Sequence, residues 1–224
     1  DMGCMKEAEH YVNEVATGKQ DFALTSCCPS WSVMAKNLFP ETIDKISNEL
    51  TPMVATARII KQEHPEASVV FIGPCASKKL EASRRTVRSD VDFVITFEEL
   101  TGMFEAKGIL LDEIKAMDEM QDATGAGRGY GVAGGVANAI EKCIETYYPG
   151  TEVKIEHAEG LAECRKMLLL AKAGKKNGYL IEGMACPGGC VAGAGTNIAV
   201  CQAAKEVAKF KAAAKDALPK EAEE

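Results

Sequence analysis

No apolar run in these 224 residues is long enough to cross a bilayer, so no membrane-spanning helix is expected. Positive charge is in the minority: 26 Lys and Arg stand against 33 Asp and Glu, a net charge of −7. That argues against a nucleic-acid-binding surface, which needs clustered cations. Aromatic residues are sparse, at 6%. No secretory leader is visible, and a cytoplasmic chain is expected. The cysteines lack the regular spacing of a disulfide framework, which sets aside a small stapled scaffold. Internal repeats and long flexible linkers are absent too. The remainder, 46% hydrophobic and 26% charged, is the balance of a globular protein with a substantial core. The chain opens at Asp1 and enters a helical pattern almost at once, as a fragment, processed chain or truncated gene would.

What the sequence does have is cysteine: nine in all. Five lie in three short stretches, Thr25-Ser-Cys-Cys-Pro-Ser-Trp31, Gly73-Pro-Cys-Ala-Ser-Lys-Lys-Leu-Glu81 and Glu182-Gly-Met-Ala-Cys-Pro-Gly-Gly-Cys190. Each sits beside Pro, Gly or Ser, the residues of turns, and outside the long apolar runs where a structural thiol hides. Thiolate is the preferred ligand of iron–sulfur clusters and zinc. Zinc sites usually show two paired knuckles. One C-x3-C pair with two distant singles suits a cluster better. The competing reading is a set of small, inert, buried cysteines.

The periodicity predicts helices over 3–17, 31–39, 41–50, 52–63, 97–108, 135–148, 160–173 and 198–217. It predicts strands at 22–24, 68–73, 92–96, 153–156 and 178–181. Ser68–Gly73 is nearly all apolar, as in a strand covered on both faces. Thr96 with Glu99 forms a capping box. Residues 112–135 read as irregular, acidic and then glycine-rich. Strands alternate with helices, so the class is α/β, a mainly parallel sheet flanked by helices. The cysteine loops all leave C-terminal strand ends, predicted to lie on one sheet edge, where open α/β sheets place their sites. Cys4, Cys143, Cys164 and Cys201 fall in helical patterns and read as core or surface residues.

The three cysteine stretches resemble the signature motifs of the catalytic H-cluster domain of [FeFe]-hydrogenases: T-S-C-C-P-x-W, x-P-C-x-x-K-x-x-E and E-x-M-A-C-x-G-G-C-x-x-G. Their order and spacing fit, and so does the glycine-rich stretch 125–135. The resemblance covers nearly the whole chain and about the last two-thirds of that two-lobed domain. It implies an H-cluster domain over residues 1–217 without its N-terminal lobe, and a disordered tail over 218–224. It further implies that Cys28, Cys75, Cys186 and Cys190 hold a [4Fe–4S] cluster. Cys190 would also bridge to a two-iron subcluster carrying CO, cyanide and azadithiolate, where protons are reversibly reduced to H2. Lys78 would hydrogen-bond a cyanide, and Met184, Pro74 and Tyr130 would line the cofactor. Cys27 would relay protons, its thiol near neutrality and lowered by nearby positive charge. Glu7 and Ser47 would continue the relay, although an exposed helix carboxylate is the plain alternative for Glu7. The partners implied are H2 and protons, hydrogenase maturation proteins, and a ferredoxin or iron–sulfur module from a missing segment or a separate chain.

Several positions depart from the family pattern. Gly73 replaces a usual Met, which would leave one wall of the two-iron pocket open. Met53 replaces a glutamine. His10 falls where the second relay carboxylate would be, as a proton shuttle or as a plain surface histidine. Glu14 stands for an arginine, Tyr130 for a phenylalanine, and Ala194, Thr196 and Asn197 for the usual third-motif ending. Such changes resemble H2-sensing branches. A third possibility is a non-catalytic, Narf-like protein of iron–sulfur assembly, which keeps the cluster cysteines without the two-iron unit.

Overall fold

A computed structural model describes residues 1–88, 90–115 and 123–220. Helix α1 (Met2–His10) runs on through one π-helical turn, Tyr11–Val15. Its buried line is Cys4, Glu7, Ala8, Tyr11 and Val15, so a thiol and a carboxylate join the predicted apolar face. Strand β1 (Ala23–Leu24) feeds the first cysteine stretch, and α2 (Pro29–Leu38) starts directly behind it with proline in its first turn. Residues 41–50, predicted as a helix, supply only part of a 3-10 turn, Pro40–Lys45. Ile46 then extends and bridges Leu24 in parallel, a sheet contact that overrides the local helical spacing. Helix α3 (Pro52–Glu63) has the predicted bounds.

Next come β2 (Val70–Gly73), α4 (Ser77–Ala82), β3 (Phe93–Thr96) and α5 (Phe97–Ala106). Helix α5 carries the predicted capping box: Thr96 Oγ1 accepts from the Glu99 amide, and Glu99 Oε2 accepts from the Thr96 amide. Residues 116–122 of the irregular stretch lie outside the described residues. The chain closes with α6 (Gly125–Arg128), α7 (Gly135–Tyr147), β4 (Lys154–Glu159), α8 (Leu161–Lys172), β5 (Tyr179–Met184) and α9 (Val200–Ala212).

The strands form two parallel sheets, β1-β5-β4 and β2-β3. The cysteine loops do leave C-terminal strand ends, but from both sheets rather than from one edge. In the first sheet the side chains alternate. Leu180 joins a core with α1 and α7 on one face, and Ile181 joins Trp31, Ala35 and Leu168 of α2 and α8 on the other. Each such side chain, fully buried, stabilises by about 1.5–3 kcal/mol. The second sheet differs from the expectation for Ser68–Gly73. Val70 and Ile72 are each 43% exposed and Phe93 is 61% exposed, so one face is open. Its other side packs on Met53, Val54 and Ala57 of α3. The expected start of a disordered tail at 218 is corrected at the C-terminus. Leu218 packs on the first core, and the Pro219 carbonyl accepts from the Tyr147 hydroxyl. Residues 221–224 lie outside the described set.

The first and third motifs interlock across the sheet. The Trp31 indole donates to the Thr25 carbonyl at 3.1 Å, and a Cβ at Gly183 would lie 2.1 Å from the Trp31 ring. Gly183→Ala is therefore expected to push Trp31 off β5 and cost about 2 kcal/mol or more. Urea unfolding followed by the fluorescence of this single tryptophan measures it.

Candidate metal centre

Cys28, Cys75, Cys186 and Cys190 line one small cavity, together with Cys27, Lys78 and Met184. Three of the four thiols sit where a helix begins. Cys28 precedes α2, Cys75 lies two residues before α4, and Cys190 opens a 3-10 turn, Cys190–Ala192. Between Cys186 and Cys190 the chain turns back through Gly188 (φ +94°) and Gly189 (φ +91°), a backbone region that L side chains avoid. A Cβ on Gly189 would also lie 2.4 Å from the Ala133 amide nitrogen, which fixes the glycine-rich stretch against this loop. The second and third loops dock on each other: the Gly195 amide donates to the Pro74 carbonyl at 2.9 Å, and a Cβ on Gly193 would lie 2.4 Å from that oxygen.

The thiols are electrostatically incompatible with one another when ionised. Burial, with the charges of Cys28 and Cys75, pushes the Cys190 thiol up to about 12, and Lys78 acts the other way. Cys186 is raised by burial and the same two neighbours. Bringing such a set together as thiolates calls for bound positive charge at their centre. Among the described residues no three His, Cys, Asp or Glu side chains converge tightly enough for a single metal ion. An all-thiol set around a shared cavity has the ligand chemistry of an iron–sulfur group.

Lys78 and Glu81 form a buried ion pair at 2.7 Å, their side chains 10% and 5% exposed. Lys78 Nζ also lies 3.4 Å from the Cys27 carbonyl oxygen. Glu81 is thus the group that holds the lysine. The K-x-x-E spacing signals it, because residues three apart meet on a helix. Glu182 also carries a structural task that its motif position alone did not reveal. It is fully buried, and its carboxylate accepts from the Gly134 and Ala137 amides at 3.0 and 2.6 Å. It thereby caps α7 and ties β5 to the glycine-rich turn.

Cys27 lies at the junction of the four-cysteine cavity and a second one, which is lined by Glu7, Ser26, Glu49 and Tyr130. Its thiol is pushed well above the ordinary range by burial, then by the charges of Glu182 and Cys28. The ammonium of Lys78 approaches the Cys27 carbonyl. Glu7 is buried, 6% exposed, which sets aside the exposed-carboxylate reading. Burial pushes its carboxyl up to about 7, helped by Glu49 and opposed by the Ser47 hydroxyl. Ser47 is also buried and accepts from the Glu49 amide at 3.0 Å.

Met184 ends β5 on the cysteine cavity. Pro74 lies instead in an apolar groove with Phe97, Phe104 and Ile198, and Cys190 lines both groove and cavity. Tyr130 faces the Glu7 cavity, near Cys4. Met53, in α3, is packed in the core. A Cβ on Gly73 would meet the Phe71 ring at 2.8 Å. His10 is partly exposed and does not line the Glu7 cavity, and Glu14 pairs with Lys19 at 3.5 Å. Asn197 is tied to α5, donating to Phe97 O and Thr101 Oγ1 at 3.1 and 2.7 Å. Cys4, Cys143 and Cys164 are core residues and Cys201 is exposed, as their helical setting implied. The 3.6 Å approach of the Cys4 and Cys143 sulfurs had no sequence signal.

Two measurements follow from these buried charges. Glu81→Ala strands the Lys78 ammonium and is expected to cost about 3–5 kcal/mol, whereas Lys78→Met with Glu81→Met stays near the wild type. Chemical denaturation of the wild type and these two variants checks it. Glu7 is raised from an unfolded value of 4.5 to about 7, so wild-type stability falls as pH rises through that window. Glu7→Gln is expected to match the wild type below about pH 4.5 and to exceed it above pH 7 by up to about 3 kcal/mol. Unfolding curves at a series of pH values show whether the gap opens.

Comparison with known proteins places the site in context. Residues 1–194 match the family model described as "Iron only hydrogenase large subunit, C-terminal domain". Iron hydrogenase 1 of Clostridium pasteurianum is 29% identical, over 87% of this chain and 41% of that protein. The cytosolic iron–sulfur assembly component 3 of Bos taurus is 27% identical, over 77% of this chain and 46% of that protein. The chain thus spans about half the length, or less, of these curated relatives. An apo [FeFe]-hydrogenase from Chlamydomonas reinhardtii superposes with a TM-score of 0.75 at 21% identity, over 96% of this chain and 73% of that one, which shows a shared fold. Among the described residues no helix is long and apolar enough to cross a membrane. On the strength of the family match over most of its length, the chain belongs to the iron-only hydrogenase family, as the C-terminal domain of its large subunit.

Proposed function

We propose that this chain is the H-cluster-binding part of an [FeFe]-hydrogenase that interconverts protons, electrons and H2. The observation that carries this reading is that Cys28, Cys75, Cys186 and Cys190 surround one cavity that Cys27 and Lys78 also line. The four thiols would hold a [4Fe–4S] cluster. Cys190, facing both the cavity and the apolar groove, would be the thiolate shared with a two-iron subcluster carrying CO, cyanide and azadithiolate. That group, when bound, supplies the site at which protons and electrons combine.

The chain's own side chains would do the rest. Lys78, held in place by Glu81, presents an ammonium suited to an anionic cyanide end. Met184 supplies a soft apolar wall. Cys27 keeps its proton at neutral pH, held there by burial, and stands where it can give it up only to a strong acceptor inside the cavity. Glu7, raised to about 7, can both hold and release a proton at working pH. Ser47 steadies the Glu7 carboxyl. Electrons would come from a ferredoxin or an iron–sulfur module, and the two-iron unit from hydrogenase maturation proteins.

A second reading, a non-catalytic iron–sulfur protein, is favoured by the bovine assembly-component relative. Anaerobic reconstitution with iron, sulfide and a synthetic two-iron complex separates the two. The hydrogenase reading predicts infrared bands in the window of metal-bound CO and cyanide, and H2 evolution with a reduced dye. Cys27→Ala should keep the bands and lose turnover by about a hundredfold or more. A [4Fe–4S] signal without those bands assigns the chain to the second class. Bands without turnover in the wild type point to H2 sensing.

A further inference from the structure

Under the function proposed above, on which this inference rests, Glu7 needs a proton-exchange partner nearer solvent. His10, three residues along α1, does not line the Glu7 cavity. Four other titratable side chains do: Asp1, Cys27, Glu49 and Tyr130. Asp1 is engaged elsewhere, its carboxylate accepting from the Thr124 amide at 3.1 Å and the Thr124 hydroxyl at 2.6 Å. Burial pushes the Tyr130 phenol above its ordinary range, which removes it as a carrier near neutrality. Cys27 lies on the inner side, toward the four cysteines.

Glu49 is left, and the structure holds it in place. Its amide donates to Ser47 Oγ at 3.0 Å, and its carbonyl accepts from Ser26 Oγ at 2.9 Å. Ser47 is the hydroxyl beside Glu7, and Ser26 immediately precedes Cys27. The Glu49 carboxylate is 32% exposed and pairs at 3.9 Å with Lys6, which is 64% exposed. Exposure therefore rises stepwise from Glu7 through Glu49 to Lys6. Glu7 Oε2 is buried, without a hydrogen-bond partner, and its carboxyl lines the cavity that the two residues share.

We propose that Glu49, positioned by Ser26, Ser47 and Lys6, is the outer carboxylate through which buried Glu7 exchanges protons with solvent, in place of His10. A proton taken from water protonates the Glu49 carboxylate. It then passes to ionised Glu7, directly or across one water, which leaves Glu49 ionised and Glu7 as the acid. The reverse sequence returns a proton to solvent.

The test reads Glu7 itself and needs no turnover. In the cluster-containing protein, the buried carboxylic acid whose infrared band disappears in Glu7→Gln is followed against pH and after mixing into D2O. Glu49→Gln removes a nearby negative charge, so the Glu7 midpoint should fall below about 7. Deuterium uptake at Glu7 should slow by roughly a hundredfold. Glu49→Asp should restore most of the exchange rate, and His10→Gln should leave rate and midpoint unchanged. Unaltered exchange in Glu49→Gln, or slowed exchange in His10→Gln, overturns the assignment. Either result stands apart from the function: missing CO and cyanide bands would remove the hydrogenase reading while leaving the Glu7–Glu49 couple intact.

Discussion

Four thiols held around one cavity repel each other once they ionise, and the rest of the chain is arranged to keep them there. The penalty is visible in Cys190 and Cys186, both raised by burial and by their neighbours' charge. A fold can tolerate this only if its loops cannot spread apart, or if bound metal supplies the missing positive charge. The interlocks around the site meet the first condition. Trp31 lies against Gly183, Gly195 donates to Pro74, and Gly189 packs on Ala133. Each contact joins two distant segments of the chain, and each has a glycine where a Cβ would collide.

The buried charges divide the centre into two sides. On one, Lys78 with Glu81 puts a fixed cation next to the cysteines, its position set by a helical i, i+3 pair. On the other, Glu7 and Ser47 are buried and the Glu49 carboxylate is partly exposed. Cys27 sits between them, in contact with both cavities. Burial and the charges of Glu182 and Cys28 push its thiol up. Glu182 adds to the field while capping α7, so one carboxylate serves both the backbone and the electrostatics.

The departures from the family pattern fall mostly outside the cysteine shell. Met53 is a core residue and Phe71 takes the space beside Gly73. Glu14 is paired with Lys19, and Asn197 anchors α5. These substitutions keep the packing closed.

Much was legible from the residues alone. The α/β class, the exact bounds of α3, the Thr96–Glu99 capping box and the emergence of every cysteine loop at a strand end follow from periodicity and turn chemistry. These are local signals, carried over a few neighbouring residues. The cysteine, lysine and glycine spacings also point to the chemistry, because ligand type and backbone freedom are properties of the residues themselves. The tertiary structure decided the rest. It split the strands into two sheets, turned 41–50 from helix into a bridge to Leu24, and left Val70, Ile72 and Phe93 exposed. It also buried Glu7, raised Cys27, and brought Glu49 and Cys4–Cys143 to their partners. Burial and charge proximity depend on which distant segments meet, and a carboxylate or thiol has the same one-letter symbol whether it faces water, an anion or a dry cavity.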